Sequence, residues 1–128
     1  MIIRIMLCLF FISRAYSQPN SLVCPSVGEI KKGLFHDWLP LYIDGEELAR
    51  QIDTLQFIKG VKVFVAAKWD KAYLENGHCF YHGDPITNKV ILAHDAWRPK
   101  ESPYWHWINH GTLAECHAPS PENCAFLE

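Results

Sequence analysis

Apolar and polar positions divide the chain into an N-terminal block and a patterned remainder. Met1 to Arg4 form a short basic lead, Ile5 to Ile12 an unbroken apolar run, and Ala15-Tyr16-Ser17 puts small residues at −3 and −1. That order predicts a secretory signal peptide over 1–17, with cleavage before Gln18. Eight apolar residues at ~1.5 Å each fall well short of a ~30 Å bilayer core, so the run predicts export rather than an anchor. A lipid-attachment site at Cys8 is disfavoured, because Ile5-Met6-Leu7 are bulky where small residues are needed.

Residues 18–128 read as a single disulfide-bonded globular domain without repeats or charge blocks. Gln18 to Val23 predicts a flexible lead-in. Ser26 and Glu29 have capping-box spacing, and Lys31, Lys32 and Gly33 suit a helix C-terminus, so a helix of about two turns is expected. Leu34 to Ile43 is aromatic and β-branched but contains Pro40, which predicts an edge strand or irregular extended segment. Asp44-Gly45 fits either a hairpin turn or a helix N-cap followed by Glu46 and Glu47, and Leu48, Ile52, Leu55 and Ile58 have helical spacing.

From Val61 the period becomes two. Val61, Val63, Val65, Ala67 and Trp69 alternate with Lys62, Phe64, Ala66 and Lys68, predicting a strand buried mainly on the odd-numbered face. Cys79 to His82 and Lys89 to His94 flank Gly83-Asp84-Pro85 as a hairpin. Arg98 to Pro103 reads as a surface loop. Tyr104 to Ile108 and Thr112 to Cys116 flank Asn109-His110-Gly111 as a second hairpin. The tail from Pro119 has no period and is expected to be held through Cys124, with Phe126 tucked in. The fold class is α+β, mostly β: a curled antiparallel sheet, a meander of about five strands, with one or two short helices and disulfide staples.

Cys8 leaves with the signal, and Cys24, Cys79, Cys116 and Cys124 remain, an even number that predicts two disulfides. Three pairings are open. Cys24–Cys79 with Cys116–Cys124 is favoured, since it pins the N-terminal helix to the central hairpin and closes a short tail loop. Removing Arg4 and Arg14 leaves ten basic against fourteen acidic residues, a net charge of about −4. That balance argues against nucleic acid or an anionic membrane as partner.

Seven histidines invite a metal reading built on His78, His82 and His94, with His78 and His82 on one side of a strand and His94 facing His82 across the hairpin. Scattered surface and half-buried imidazoles are the preferred reading, and no metal or cofactor is expected. No nucleophile elbow, phosphate loop or dinucleotide fingerprint is present, so no catalytic residue is assigned. All five tryptophans lie beyond the signal. Trp105 and Trp107 share one face of a strand, with Trp97 and Tyr104 near in sequence. These four form the candidate binding residues, weighed against a role in the core. The leading functional reading is a non-enzymatic module that acts as a monomer on a protein or glycan. The alternatives are a metal-binding protein or metal-dependent enzyme, and a secreted inhibitor presenting Pro99 to Pro103.

Several short pieces also carry a resemblance. They are Cys24-Pro25-Ser26-Val27-Gly28-Glu29-Ile30, the strand ending at Trp69, Gly77-His78-Cys79-Phe80-Tyr81, Trp105 with Cys116, and Cys124-Ala125-Phe126. Together they resemble a family of small exported bacterial proteins of unknown function. The resemblance implies bacterial origin, export to the periplasm or medium, and a compact disulfide-bonded domain; it implies no activity.

Overall fold

The computed structural model describes residues 21–128; the expected signal peptide lies outside the described residues. Helix α1 (Val27–Lys31) begins where its cap predicts. The Ser26 hydroxyl accepts from the Glu29 amide at 3.1 Å, and a Glu29 carboxylate oxygen accepts from the Ser26 amide at 2.9 Å. A cap of this kind contributes about 1 kcal/mol. Gly33 ends the segment at φ +75°, a left-handed conformation that costs glycine little.

Strand β2 (Leu39–Tyr42) is an edge strand, where Pro40 lacks an amide hydrogen without breaking a ladder on both sides. Asp44-Gly45 resolves to a turn. The Gly45 amide donates to Tyr42 and the Tyr42 amide to Glu46, both at 2.8 Å, while Asp44 Oδ1 accepts from the Glu46 amide. The helix comes later, as α2 (Gln51–Gly60), and only part of the predicted apolar side faces inward: Ile58 packs against the core, as does Leu48 ahead of the helix. Ile52 and Leu55 are exposed, whereas Asp53, Phe57 and Gly60 are buried. Phe57 meets Phe35 and Tyr81 edge to face, and the Tyr42 hydroxyl donates to Asp53, which turns that carboxylate inward. One large ring and one hydrogen-bonded acid thus outweigh two aliphatic side chains in setting the helix's orientation.

The main sheet is antiparallel, with six strands in the order β2, β5 (Val90–His94), β4 (Gly77–Gly83), β3 (Val61–Asp70), β8 (Leu113–Cys116) and β7 (Trp105–Ile108). It is open rather than strongly curled. Both predicted hairpins are present, the second closed by Asn109, His110 and Gly111, all at positive φ. The alternation predicted for β3 fails in its first half. Register shifts between Val61 and Val63 and between Phe64 and Ala66 each insert one residue against β4. These bulges turn Phe64 inward and leave Val63 half exposed, before Ala67 and Trp69 return to the core side.

A second, three-stranded sheet has the order β1 (Ser21–Leu22), β9 (Phe126–Leu127) and β6 (Arg98–Pro99). It corrects two expectations: the end of the flexible lead-in and the start of the surface loop are both paired strands. The cause is the tail. Phe126 is fully buried, and β9 offers backbone partners on both sides.

The core lies between the inner face of the main sheet, the two helices and the small sheet, around Ile30, Trp38, Phe57, Tyr81, Leu92, Trp105 and Phe126. Disulfides Cys24–Cys79 and Cys116–Cys124 are embedded in it, the favoured pairing of the three. Each contributes about 2–4 kcal/mol by restricting the unfolded chain. Among the described residues, no helix is long and apolar enough to cross a membrane.

Candidate functional site

The four candidate aromatic residues are divided by the fold. Trp105 is core: it is buried, its ring lies edge to face on Phe126 at 5.1 Å, and its Nε1 donates to the Ala125 carbonyl at 3.0 Å. Of the two roles weighed for Trp105, core and platform, the fold gives it the core. Trp107, two residues on, points to the same side of β7, but this is the end strand of the sheet and little lies above it. Trp107 is 49% exposed and Trp97 62%. These two line one open cleft of about 630 Å³ with Trp69, Lys71, Asn76, Arg98 and Gly111. Tyr104, though 44% exposed, lines a separate hollow with Lys100, Ser102 and Glu122.

The cleft is held from below. Trp69 is buried, donates through Nε1 to the Ala96 carbonyl at 3.1 Å, and supports Trp107 edge to face at 5.8 Å. Asn76 Oδ1 accepts from the Ala96 amide and the Trp97 amide donates to Leu127, which fixes the segment carrying Trp97. The Arg98 guanidinium lies 5.8 Å from the Trp97 ring centre. Trp97 also borders another hollow, with His94, Asp95, Asn76 and Glu128. Half-exposed indoles flanked by amide, imidazole and carboxylate groups offer stacking area and hydrogen bonds together.

A further concavity was not expected from the sequence. It lies on the outer face of the main sheet and has a volume of about 320 Å³, with Leu41, Phe80, Ile91 and His78 among its lining residues. Leu41, Ile91 and Ala93 form a small apolar cluster there, with Phe80 against it. One signal was available: Val90-Ile91-Leu92-Ala93 is an unbroken apolar run, which marks a strand covered on both faces. Around this groove, Lys68 pairs with Glu115 at 3.4 Å and sits 4.9 Å over the Phe80 ring. His78 contacts Tyr73 and Phe80 edge to face. Burial holds the His78 pKa below its ordinary value, against the opposing pull of the Glu75 carbonyl and the Asp70 and Glu75 carboxylates.

The metal constellation is not brought together. Register pairs His78 with Ala93 and His94 with Gly77, while His82 pairs with Val63. His94 consequently lies on the opposite face from His78, against Trp38. The hairpin is shifted from the assumed one because its connection includes the turn Thr87–Lys89. Among the described residues, no three His, Cys, Asp or Glu side chains are grouped to hold a metal ion. Nor is Pro99 to Pro103 presented as a loop throughout, since Pro99 is buried in β6 and the Lys100 amide donates to Ala125.

Fold and site define a disulfide-stapled, mostly β domain with an aromatic cleft at one sheet edge and an apolar groove on the opposite face. No family model, no curated protein and no solved structure matches the chain. The resemblance to small exported bacterial proteins thus has no support from these comparisons.

Proposed function

We propose that this protein is an exported, non-enzymatic binding module, acting as a monomer, whose Trp97–Trp107 cleft takes a glycan. The observation that carries the reading is the pair of exposures, 62% and 49%, in two indoles lining one cleft. A sugar ring presents an apolar C–H face edged by hydroxyls. Indole faces suit the first, and Asn76, Arg98, His94 and Asp95 beside them suit the second. The leader over 1–17 and two disulfides favour an oxidising compartment outside the cytoplasm. Kinship with small exported bacterial proteins belongs to the same proposal.

A protein partner is the second reading, favoured by β7 being the end strand with Trp107 and Ile108 exposed. An added strand would pair there through its backbone. A glycan array and sedimentation with insoluble polysaccharides separate the two. The expected result is retention by a defined glycan that Trp97→Ala and Trp107→Ala each abolish, while both variants stay folded and lose no more than about 1.5 kcal/mol of stability. Retention that survives both substitutions, or no glycan retained, overturns the glycan reading.

A further inference from the structure

The groove on the outer face of the main sheet lies apart from the aromatic cleft, with no lining residue in common. Its apolar part is made by alternate residues of three strands: Leu41 on β2, Ile91 on β5, and His78 and Phe80 on β4. Strand alternation brings these to one surface because β2, β5 and β4 are consecutive in the sheet. Leu41 and Ile91 are buried there even though they lie outside the main core cluster. At about 320 Å³ the groove falls at the lower end of the range for small-molecule sites, ~300–1,000 Å³.

Its charged lining is one-sided. Asp44, Asp70, Glu75 and Glu115 supply four carboxylates against the single ammonium of Lys68. Lys68 is already engaged by Glu115. The Asp70 carboxylate also accepts from the Ala72 amide, and Asp44 from the Glu46 amide; these local bonds shape the two loops on which those residues stand. Tyr73 adds an exposed aromatic ring, the kind of surface that attracts organic cations, while the Phe80 ring already has the Lys68 ammonium 4.9 Å from its centre and contributes apolar area. An anion would meet this lining at a cost, and a neutral apolar molecule would leave its charge unanswered.

We propose that this groove is a binding site for a small organic amine, its apolar body against Leu41, Phe80 and Ile91 and its ammonium group toward the carboxylates of Asp70 and Glu75. The site is independent of the glycan reading and stands if that reading fails.

The test titrates the disulfide-intact protein with 2-phenylethylamine, 2-phenylethanol and 3-phenylpropionate, which share a ring and differ in charge. Amide chemical shifts locate the site and give each affinity. The expected result is millimolar binding of the amine, shifts concentrated at Tyr73, His78, Phe80 and Ile91, and affinity about tenfold weaker for the alcohol and the acid. Glu75→Gln should weaken the amine several-fold without moving the melting temperature. Equal affinity for amine and alcohol overturns the proposal. So do shifts that map instead to Trp97 and Trp107, an unchanged affinity in Glu75→Gln, or no saturable shift at 20-fold the millimolar scale.

Discussion

On the inner face of the six-stranded sheet, Phe64, Ala67 and Trp69 of β3 are buried with α1, α2 and the small sheet in one core. On the outer face of the same strand, Val63 is half exposed and Lys68 meets Glu115 beside the groove. Both disulfides belong to the inner side, while the outer side has only the small cluster around Leu41, Ile91 and Ala93. The contrast divides labour between the two faces of the sheet. Inner positions carry the stability, and outer positions, with the uncovered sheet edge at Trp107, are available for recognition. Substitutions on the two sides should therefore differ in kind.

The largest effect is expected where helix α2 meets the sheet. A Cβ on Gly83 would stand 2.0 Å from the Gly60 carbonyl oxygen, a backbone atom that cannot step aside. Gly60 has little room either, since its own added Cβ would come within 2.9 Å of Asp84. Gly83→Ala should cost more than about 4 kcal/mol, and circular dichroism should find little folded protein. A melting temperature near that of the parent chain would mean the helix end can slide, and that the inner face is less tightly built than its burial implies.

Next in size comes the pair on β7, two residues apart on one side of the strand. Trp105→Ala removes a buried indole and its hydrogen bond to Ala125, and should cost about 3–5 kcal/mol. Trp107→Ala removes one edge-to-face contact with Trp69, worth about 0.5–1.5 kcal/mol. Thermal melts of the two variants should differ by many degrees. Equal losses would erase the distinction between core and cleft on which the glycan reading depends.

The sequence made the local features legible and the long-range ones only partly so. The Ser26–Glu29 cap, the edge position of Pro40 and the Asn109-His110-Gly111 connection depend on neighbours a few residues apart, and all are present. Trp105 and Trp107 could not be told apart, because alternation gives them one side, and only the end of the sheet uncovers the second. The β3 strand departs from its alternating pattern for a related reason. Two inserted residues are visible only once β4 is laid beside the strand. The lead-in and the loop at Arg98 became strands because the tail lies between them. The histidine triad failed by register, since moving His94 one position relative to β4 puts it on the other face.

The smallest expected effect is on pH dependence, and it separates the groove imidazole from the carboxylates. His78 titrates below its ordinary value of 6.5 because burial beside the groove disfavours the imidazolium. The unfolded chain therefore binds more protons in that window. Stability is full above about pH 6.5 and falls as pH drops through the folded-state value. Glu29, at the α1 cap, and Glu115, beside Lys68 and His117, are shifted below the ordinary carboxylate value of 4.5. The Ser26 amide leads the first shift, and the His117 hydrogen bond leads the second. Their contribution is present above about pH 4.5 and is lost only at lower pH. Melting temperature against pH should thus show two separate declines. His78→Gln should flatten the upper one and leave the lower intact, whereas Glu29→Gln should reduce the lower one alone. If His78→Gln leaves the decline below pH 6.5 unchanged, the imidazole is well solvated, and the groove is wetter than a site for the apolar body of an amine needs to be.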